Sequence, residues 1–106
     1  GDDYTVYCSI DENYTIFFFE AESLKYVDDY RSVYIIINGI PTFGYVIEGR
    51  VMFFDNAGNI TELLKNKNWI LLSIIDNETN EYYWNKEISA SGFIKSVNEF
   101  INYNYN

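Results

Sequence analysis

Residues 33–54 read VYIIINGIPTFGYVIEGRVMFF, and this stretch decides the fold because two turn dipeptides divide it into three β-like runs. The first dipeptide, Asn38-Gly39, best accepts the two positive φ angles of a type I′ hairpin turn. The second, Glu48-Gly49, offers another tight turn before the third run. We therefore predict a three-stranded antiparallel meander.

The meander is rich in aromatic and β-branched residues, which favour strands, and the segments on both sides of it are enriched in the same residue types. Pro41 has no backbone N–H and so places the middle strand near an edge or at a bulge. Residues 21–32 fit both a helical turn and an excursion between strands, and residues 60–65 fit both a short strand and one helical turn. The further strands are predicted at residues 4–10, which should pair with 14–20, and at residues 69–75 and 81–88.

The last fifteen residues change from a period of two to a helical period. Phe93, Val97, Phe100 and Ile101 form one apolar stripe behind Ser91, a good N-cap residue. The stripe predicts an amphipathic helix that packs on one face of the sheet. The expected fold is therefore α+β, a strongly bent antiparallel β-sheet of about six or seven strands with a C-terminal helix, in a single domain spanning residues 1–106.

The chain contains no histidine and one cysteine. It cannot by itself form a Ser-His-Asp triad, a Cys-His pair or a histidine-ligated zinc site, and these residues cannot form an internal disulfide. Carboxylates could perform acid–base chemistry, but that needs a deep cleft in which one acid is desolvated. We expect no enzyme and no cofactor.

One loop has a partial metal-binding pattern. Residues 76–87 place oxygen side chains at positions 1, 3, 5 and 12 of a calcium-binding loop, but Glu81 stands where the sharp turn at position 6 needs glycine. We interpret the segment as a hairpin loop and predict no metal site.

The net charge of −9 is concentrated near the start of the chain. Residues 1–30 hold eight acids and one lysine, a balance of −7. Such a segment repels nucleic acid and anionic lipid and attracts a basic protein surface. We expect no direct binding of nucleic acid and no membrane insertion; the alternative interpretation is that the acids only keep the domain soluble.

Aromatic residues add a second feature to this acidic segment. Tyr26 and Tyr30 flank two adjacent acids, and exposed tyrosines often anchor protein interfaces. The run of residues 82–84, Tyr-Tyr-Trp, fits cross-strand pairing and an interface equally well. The candidate protein-binding residues are two anchors and four electrostatic contacts: Tyr26 and Tyr30, with Glu20, Glu22, Asp28 and Asp29.

Residues 84–101, WNKEISASGFIKSVNEFI, place a strand before a short amphipathic segment at the end of a β-rich chain. In this order of elements, the last quarter of the sequence resembles several small acidic immunity proteins of bacterial toxin systems. The resemblance implies a cytoplasmic protein that binds and neutralises a cognate toxin, often a nuclease, one to one. It carries over no functional residue.

Two other functions fit the same sequence. A phage inhibitor of a host defence nuclease would use the same acidic surface against a basic partner. A secreted or surface-attached β-rich domain, from which a signal peptide had been removed, could instead bind a small ligand or glycan through its aromatic residues.

Overall fold

The computed structural model describes residues 4–10, 15–55, 60 and 69–89. One short 3-10 helix, Glu22–Leu24, follows the second strand. The seven strands of this part of the chain are β1 Tyr4–Ile10, β2 Thr15–Ala21, β3 Ser32–Ile37, β4 Ile40–Ile47, β5 Arg50–Phe54, β6 Trp69–Asp76 and β7 Tyr82–Ser89.

All seven strands belong to one sheet with the order β1-β2-β5-β4-β3-β6-β7, and every neighbouring pair is antiparallel. The predicted meander is confirmed, since β4 pairs with β3 on one side and with β5 on the other. The predicted pairing of the first two strands is also confirmed. The contacts of β2 with β5 and of β3 with β6 join segments that are distant in the sequence.

The two tight turns have the expected backbone geometry. Asn38 and Gly39 have φ angles of 49° and 84°, and Glu48 and Gly49 have φ angles of 51° and 76°. Two consecutive positive φ angles are characteristic of the type I′ turn, whose twist matches that of the strands it joins. Both hairpins are therefore determined by their own turn residues.

Pro41 lies in a central strand but in a local edge position. It faces Ile36 of β3, whereas the pairing of β4 with β5 covers only residues 44–47 of β4. Beside Pro41 the described part of the sheet has no second neighbour of β4, so a missing N–H is tolerated there.

One face of the sheet forms the core. The alternation is clear in β3, where Val33, Ile35 and Ile37 are buried and the residues between them are partly exposed. Each strand contributes at least one buried side chain to the same cluster, including Val6, Phe19, Val46, Phe53, Ile74 and Trp84.

The sheet bends until its two ends meet. Trp84 of β7 packs edge-on against Phe19 of β2, with ring centroids 5.2 Å apart, and against Tyr4 of β1 at 6.2 Å. Because β1 and β7 are the outermost strands of the sheet, these contacts give it the shape of a half-barrel.

The prediction of an α+β fold is wrong. The described elements are almost entirely antiparallel sheet, and the sheet covers its apolar face by curling on itself, as the contact of Trp84 with Phe19 demonstrates. The C-terminal helix that the sequence predicts at residues 91–101 lies outside the described residues.

Candidate functional site

The predicted site residues lie mostly in the connection between β2 and β3, residues 22–31, which we call the β2–β3 loop. The sequence left this segment undecided, and the structure resolves it as the 3-10 helix followed by turns. Leu24 is fully buried and anchors the loop, and its carbonyl accepts a hydrogen bond from the Val27 N–H at 3.1 Å. The loop is therefore attached to the core near its start.

The far end of the loop is held by β4. The Tyr30 N–H donates to the Val46 carbonyl at 2.6 Å, and the Val46 N–H donates to the Arg31 carbonyl at 2.9 Å. The Asp29 carboxylate accepts a hydrogen bond from the Glu48 N–H at 2.8 Å, which ties the loop to the turn between β4 and β5. These bonds fix the loop backbone before any partner binds.

Tyr26 and Tyr30 are the two most exposed large hydrophobic side chains in the described part of the chain, at 87% and 73%. Tyr30 has a φ angle of 67°, in the left-handed region that a bulky residue seldom adopts. Its ring lies 6.1 Å from the ring of Tyr45. The fold therefore holds Tyr30 on the surface at some cost in backbone strain.

The four predicted acids differ in their surroundings. Glu20 faces Arg50 on the neighbouring strand, with 3.8 Å between its carboxylate and the guanidinium Nε. Glu22 forms an ion pair of 2.8 Å with Lys25, and the resulting hydrogen bond raises the pKa of Lys25. Asp29 is tied to the β4–β5 turn, as described above.

Asp28 is the fourth acid, and its side chain has no hydrogen bond or ion pair within the described residues. It is exposed and lies between Tyr26 and Tyr30 in the sequence. Of the four acids, Asp28 is therefore the one whose charge is fully available to a partner.

A hydrogen-bond network around Asp76 holds the end of the β2–β3 loop. The Asp76 side chain is fully buried, and its Oδ2 accepts hydrogen bonds from Arg31 Nε at 2.6 Å and from the Tyr83 hydroxyl at 2.5 Å. Its Oδ1 accepts from Arg31 Nη2 at 3.2 Å and from the backbone N–H groups of Glu78 and Thr79 at 2.8 and 2.9 Å. The network joins the end of the β2–β3 loop to the β6–β7 hairpin.

These bonds shift the pKa values of the groups involved. The hydrogen bond from Arg31, followed by those from Tyr83 and from the Thr79 N–H, holds the pKa of Asp76 well below its ordinary value of 3.8. Burial, together with the hydrogen bond to Asp76, raises the pKa of Tyr83. Asp76 is therefore a carboxylate, and Tyr83 a neutral phenol, throughout the neutral pH range.

An open cleft of about 360 Å³ lies between the loop and the hairpin. We call it the Tyr26–Tyr83 cleft after its two aromatic residues. Its lining comes from the loop (Ser23, Tyr26, Val27, Asp28 and Arg31) and from the hairpin (Glu81 and Tyr83). Two of the six predicted site residues, Tyr26 and Asp28, therefore share one cavity.

Sequence reasoning missed Arg31 and Glu81, and it considered Tyr83 only within the run of residues 82–84, with no link to the β2–β3 loop. Arg31 and Asp76 are 45 positions apart and have no common local pattern. The one available signal was the loop of residues 76–80, whose Asp and Asn residues favour a tight turn. A turn signal gives no information about which distant side chain will approach it.

In the described segments no three side chains of the kinds that bind metals converge. In the segment with the partial calcium-loop pattern, the Asp76 oxygens are already occupied by protein donors. The same segments contain no helix with the length and apolar character of a membrane span.

Comparisons with protein-family models, with curated proteins and with solved structures find no match to this chain.

Proposed function

We propose that this chain is an acidic protein-binding inhibitor, specifically an immunity protein that neutralises a cognate bacterial toxin such as a nuclease by covering its basic active-site surface. The observation that carries the proposal is the exposure of Tyr26 and Tyr30 beside the Asp28 carboxylate, which has no side-chain partner among the described residues, on a loop held by backbone hydrogen bonds.

Each part of this arrangement favours tight and fast binding. Tyrosine offers a large contact area with few torsions to immobilise, which is why it is common among the residues that dominate binding energy. A loop already held by Leu24 and Val46 loses little entropy when a partner binds. Surplus negative charge accelerates the approach of a basic partner.

The strain at Tyr30 gives further support. A tyrosine with positive φ is less favourable than the glycine or asparagine that usually occupies such a position. Strained residues of this kind are found more often at functional sites, where the side chain has a use that offsets its cost.

The first experiment identifies the partner. The protein is immobilised, exposed to lysate of its source organism at low salt and washed with increasing salt, and the released proteins are identified by mass spectrometry. We expect a basic protein that salt releases, and we expect this chain to inhibit its purified form at a one-to-one ratio.

Two variants test the assignment of the surface. Asp28→Lys should slow association several-fold, because it reverses a charge that steers the partner. Tyr26→Ala should increase the dissociation rate at least tenfold, because it removes an anchor. Both residues are exposed, so both variants should unfold at nearly the wild-type temperature.

Matched controls change the same residue types elsewhere. Glu87→Lys alters an exposed acid of β7, and Trp69→Ala removes an exposed aromatic side chain at the start of β6. Neither should alter the binding rates. One contrary result is that Asp28→Lys and Glu87→Lys change the association rate equally, and another is that the captured partner is acidic. Either result would contradict the proposal and favour the interpretation that the acids serve solubility.

A further inference from the structure

We propose that the Tyr26–Tyr83 cleft binds the guanidinium group of an arginine side chain presented by the basic partner. This inference rests on the proposed function and specifies the chemistry of one contact within it. It is carried by the shape, the aromatic walls and the charge of the cleft.

The shape fits a single long side chain. The volume of about 360 Å³ is near the lower end of the range for small-molecule sites, about 300–1,000 Å³. The cleft is open to solvent on the side of Tyr26, whose ring is almost fully exposed. A side chain projecting from another protein can therefore enter without displacing the core.

The charge of the cleft favours a cation. Arg31 is the one base of the lining, but its guanidinium already contacts both oxygens of Asp76 and lies 3.3 Å from the Glu78 carboxylate. The two negative charges of Asp76 and Glu78 exceed the single positive charge of Arg31. The carboxylates of Asp28 and Glu81 then remain, neither with a side-chain partner in the described part of the structure.

The aromatic walls favour guanidinium over ammonium. A planar guanidinium can stack on a tyrosine ring while donating to carboxylates at its edge, whereas an ammonium acts as a strongly hydrated point charge. Tyr26 is 87% exposed, so in the described part of the structure its ring is open to a ligand, and Tyr83 is fixed in place by its hydrogen bond to Asp76. Asp28 and Glu81 supply carboxylates from opposite sides of the cleft.

The test uses small probes and the full chain. Amide chemical shifts are followed by NMR during titration with N-acetyl-arginine amide, N-acetyl-lysine amide and N-acetyl-citrulline amide, the last being a neutral isostere of the first. We expect saturable shifts at Ser23, Tyr26 and Tyr83 with the arginine probe, binding at least about threefold weaker with the lysine probe, and none with the citrulline probe.

Three substitutions should weaken binding of the arginine probe. Glu81→Gln and Asp28→Asn each remove one exposed charge, which corresponds to a loss of about two- to fivefold. Tyr26→Leu removes a cation–π partner and should have an effect of about the same size. Glu87→Gln is the matched control, since Glu87 lies six residues along the chain from Glu81, roughly 20 Å on an extended strand, and should leave binding unchanged.

Folding is checked for each variant by its thermal midpoint, which should match the wild type because the substituted side chains are exposed. Equal binding of the lysine and arginine probes, saturable binding of citrulline at the same amides, or wild-type binding by Glu81→Gln would each overturn the inference.

The result is separable from the proposed function. If the arginine probe binds in the cleft but no basic partner is captured, the guanidinium site of the cleft stands, whereas the inhibitor function and the presentation of the arginine by a partner both fail. If a basic partner is captured but binds Glu81→Gln and Asp28→Asn as tightly as wild type, the function stands and the cleft assignment fails.

Discussion

At the scale of single residues, Asp76 combines the most interactions at the site. One buried carboxylate receives five hydrogen bonds, from Arg31, from Tyr83 and from the turn that follows it. A buried carboxylate is stable only when its oxygens are satisfied in this way. Asp76 therefore sets the position of Arg31 and, through it, the end of the β2–β3 loop.

Asp76→Asn tests this role. The substitution removes the negative charge beside Arg31 and replaces one acceptor oxygen by an NH2 group, which leaves at least two of the five donors without an acceptor. We therefore expect the thermal midpoint to fall by about 5 °C or more at pH 7. Glu78 is an exposed ion-pair partner of Arg31, so Glu78→Gln should change the thermal midpoint little.

The pH dependence of the same pair gives a second readout. Since the pKa of Asp76 lies well below its ordinary value, the native state keeps this carboxylate ionised where the unfolded chain binds a proton. Its contribution is complete above about pH 5 and is lost progressively as the pH falls below about 4. The difference in midpoint between wild type and Asp76→Asn should shrink in that range; a difference constant down to pH 2.5 would contradict the assignment.

At the scale of elements, the hairpins join strands that are adjacent in the sequence, whereas the strand order also pairs strands that are distant in the sequence. The turns at Asn38-Gly39 and Glu48-Gly49 join neighbours in sequence, but β5 also lies beside β2. Gly44 of β4 lies opposite Phe53 of β5, and an added Cβ at this position has no room beside the backbone of β5.

Gly44→Ala should be strongly destabilising. A Cβ at this position would meet the backbone carbonyl oxygen of Met52 and would lie 2.8 Å from Cδ1 of Ile35, and the backbone of β5 cannot move without breaking the ladder. We expect the free energy of unfolding to fall by about 3 kcal/mol, measured in urea.

Gly39→Ala is the matched control. Gly39 has a φ of 84° but nothing lies within 4 Å of an added Cβ, so the substitution introduces strain without a clash. It should cost about 1 kcal/mol. A smaller loss for Gly44→Ala than for Gly39→Ala would mean that the β4–β5 contact is looser than described.

At the scale of the whole molecule, closure of the half-barrel depends on aromatic contacts between strands at opposite ends of the sheet. Trp84 is 4% exposed and touches rings on both β1 and β2. Its indole N–H is buried with no hydrogen-bond partner among the described residues, so its contribution comes from contacts of the ring, which include Lys86 Nζ at 4.9 Å from the ring centroid. The other tryptophan, Trp69, is 63% exposed.

The two tryptophans therefore form a matched pair for substitution. Trp84→Ala should reduce the free energy of unfolding by about 3–5 kcal/mol, and Trp69→Ala by less than about 1 kcal/mol. Trp84→Phe keeps a ring at the contact and removes the unpaired N–H, so it should cost clearly less than Trp84→Ala.

Fluorescence supplies an independent check, because each substitution leaves a single tryptophan. With Trp69 replaced by Phe, the remaining emission should resist quenching by acrylamide; with Trp84 replaced, it should be quenched readily. Similar quenching in the two variants would contradict closure of the sheet at Trp84.

The sequence by itself determined the features that depend on neighbours in the chain: the strands, the two primed turns and the acidic, tyrosine-rich segment of residues 20–30. The α+β class was wrong because an apolar stripe indicates what a segment can bury and gives no information about what covers it; here the sheet bends onto Trp84. Tertiary structure alone decided the strand order, the pairing of Arg31 with Asp76 and the cleft between Tyr26 and Tyr83. Each of these brings together residues 30 or more positions apart in the chain, and such contacts are selected by the packing of the whole chain.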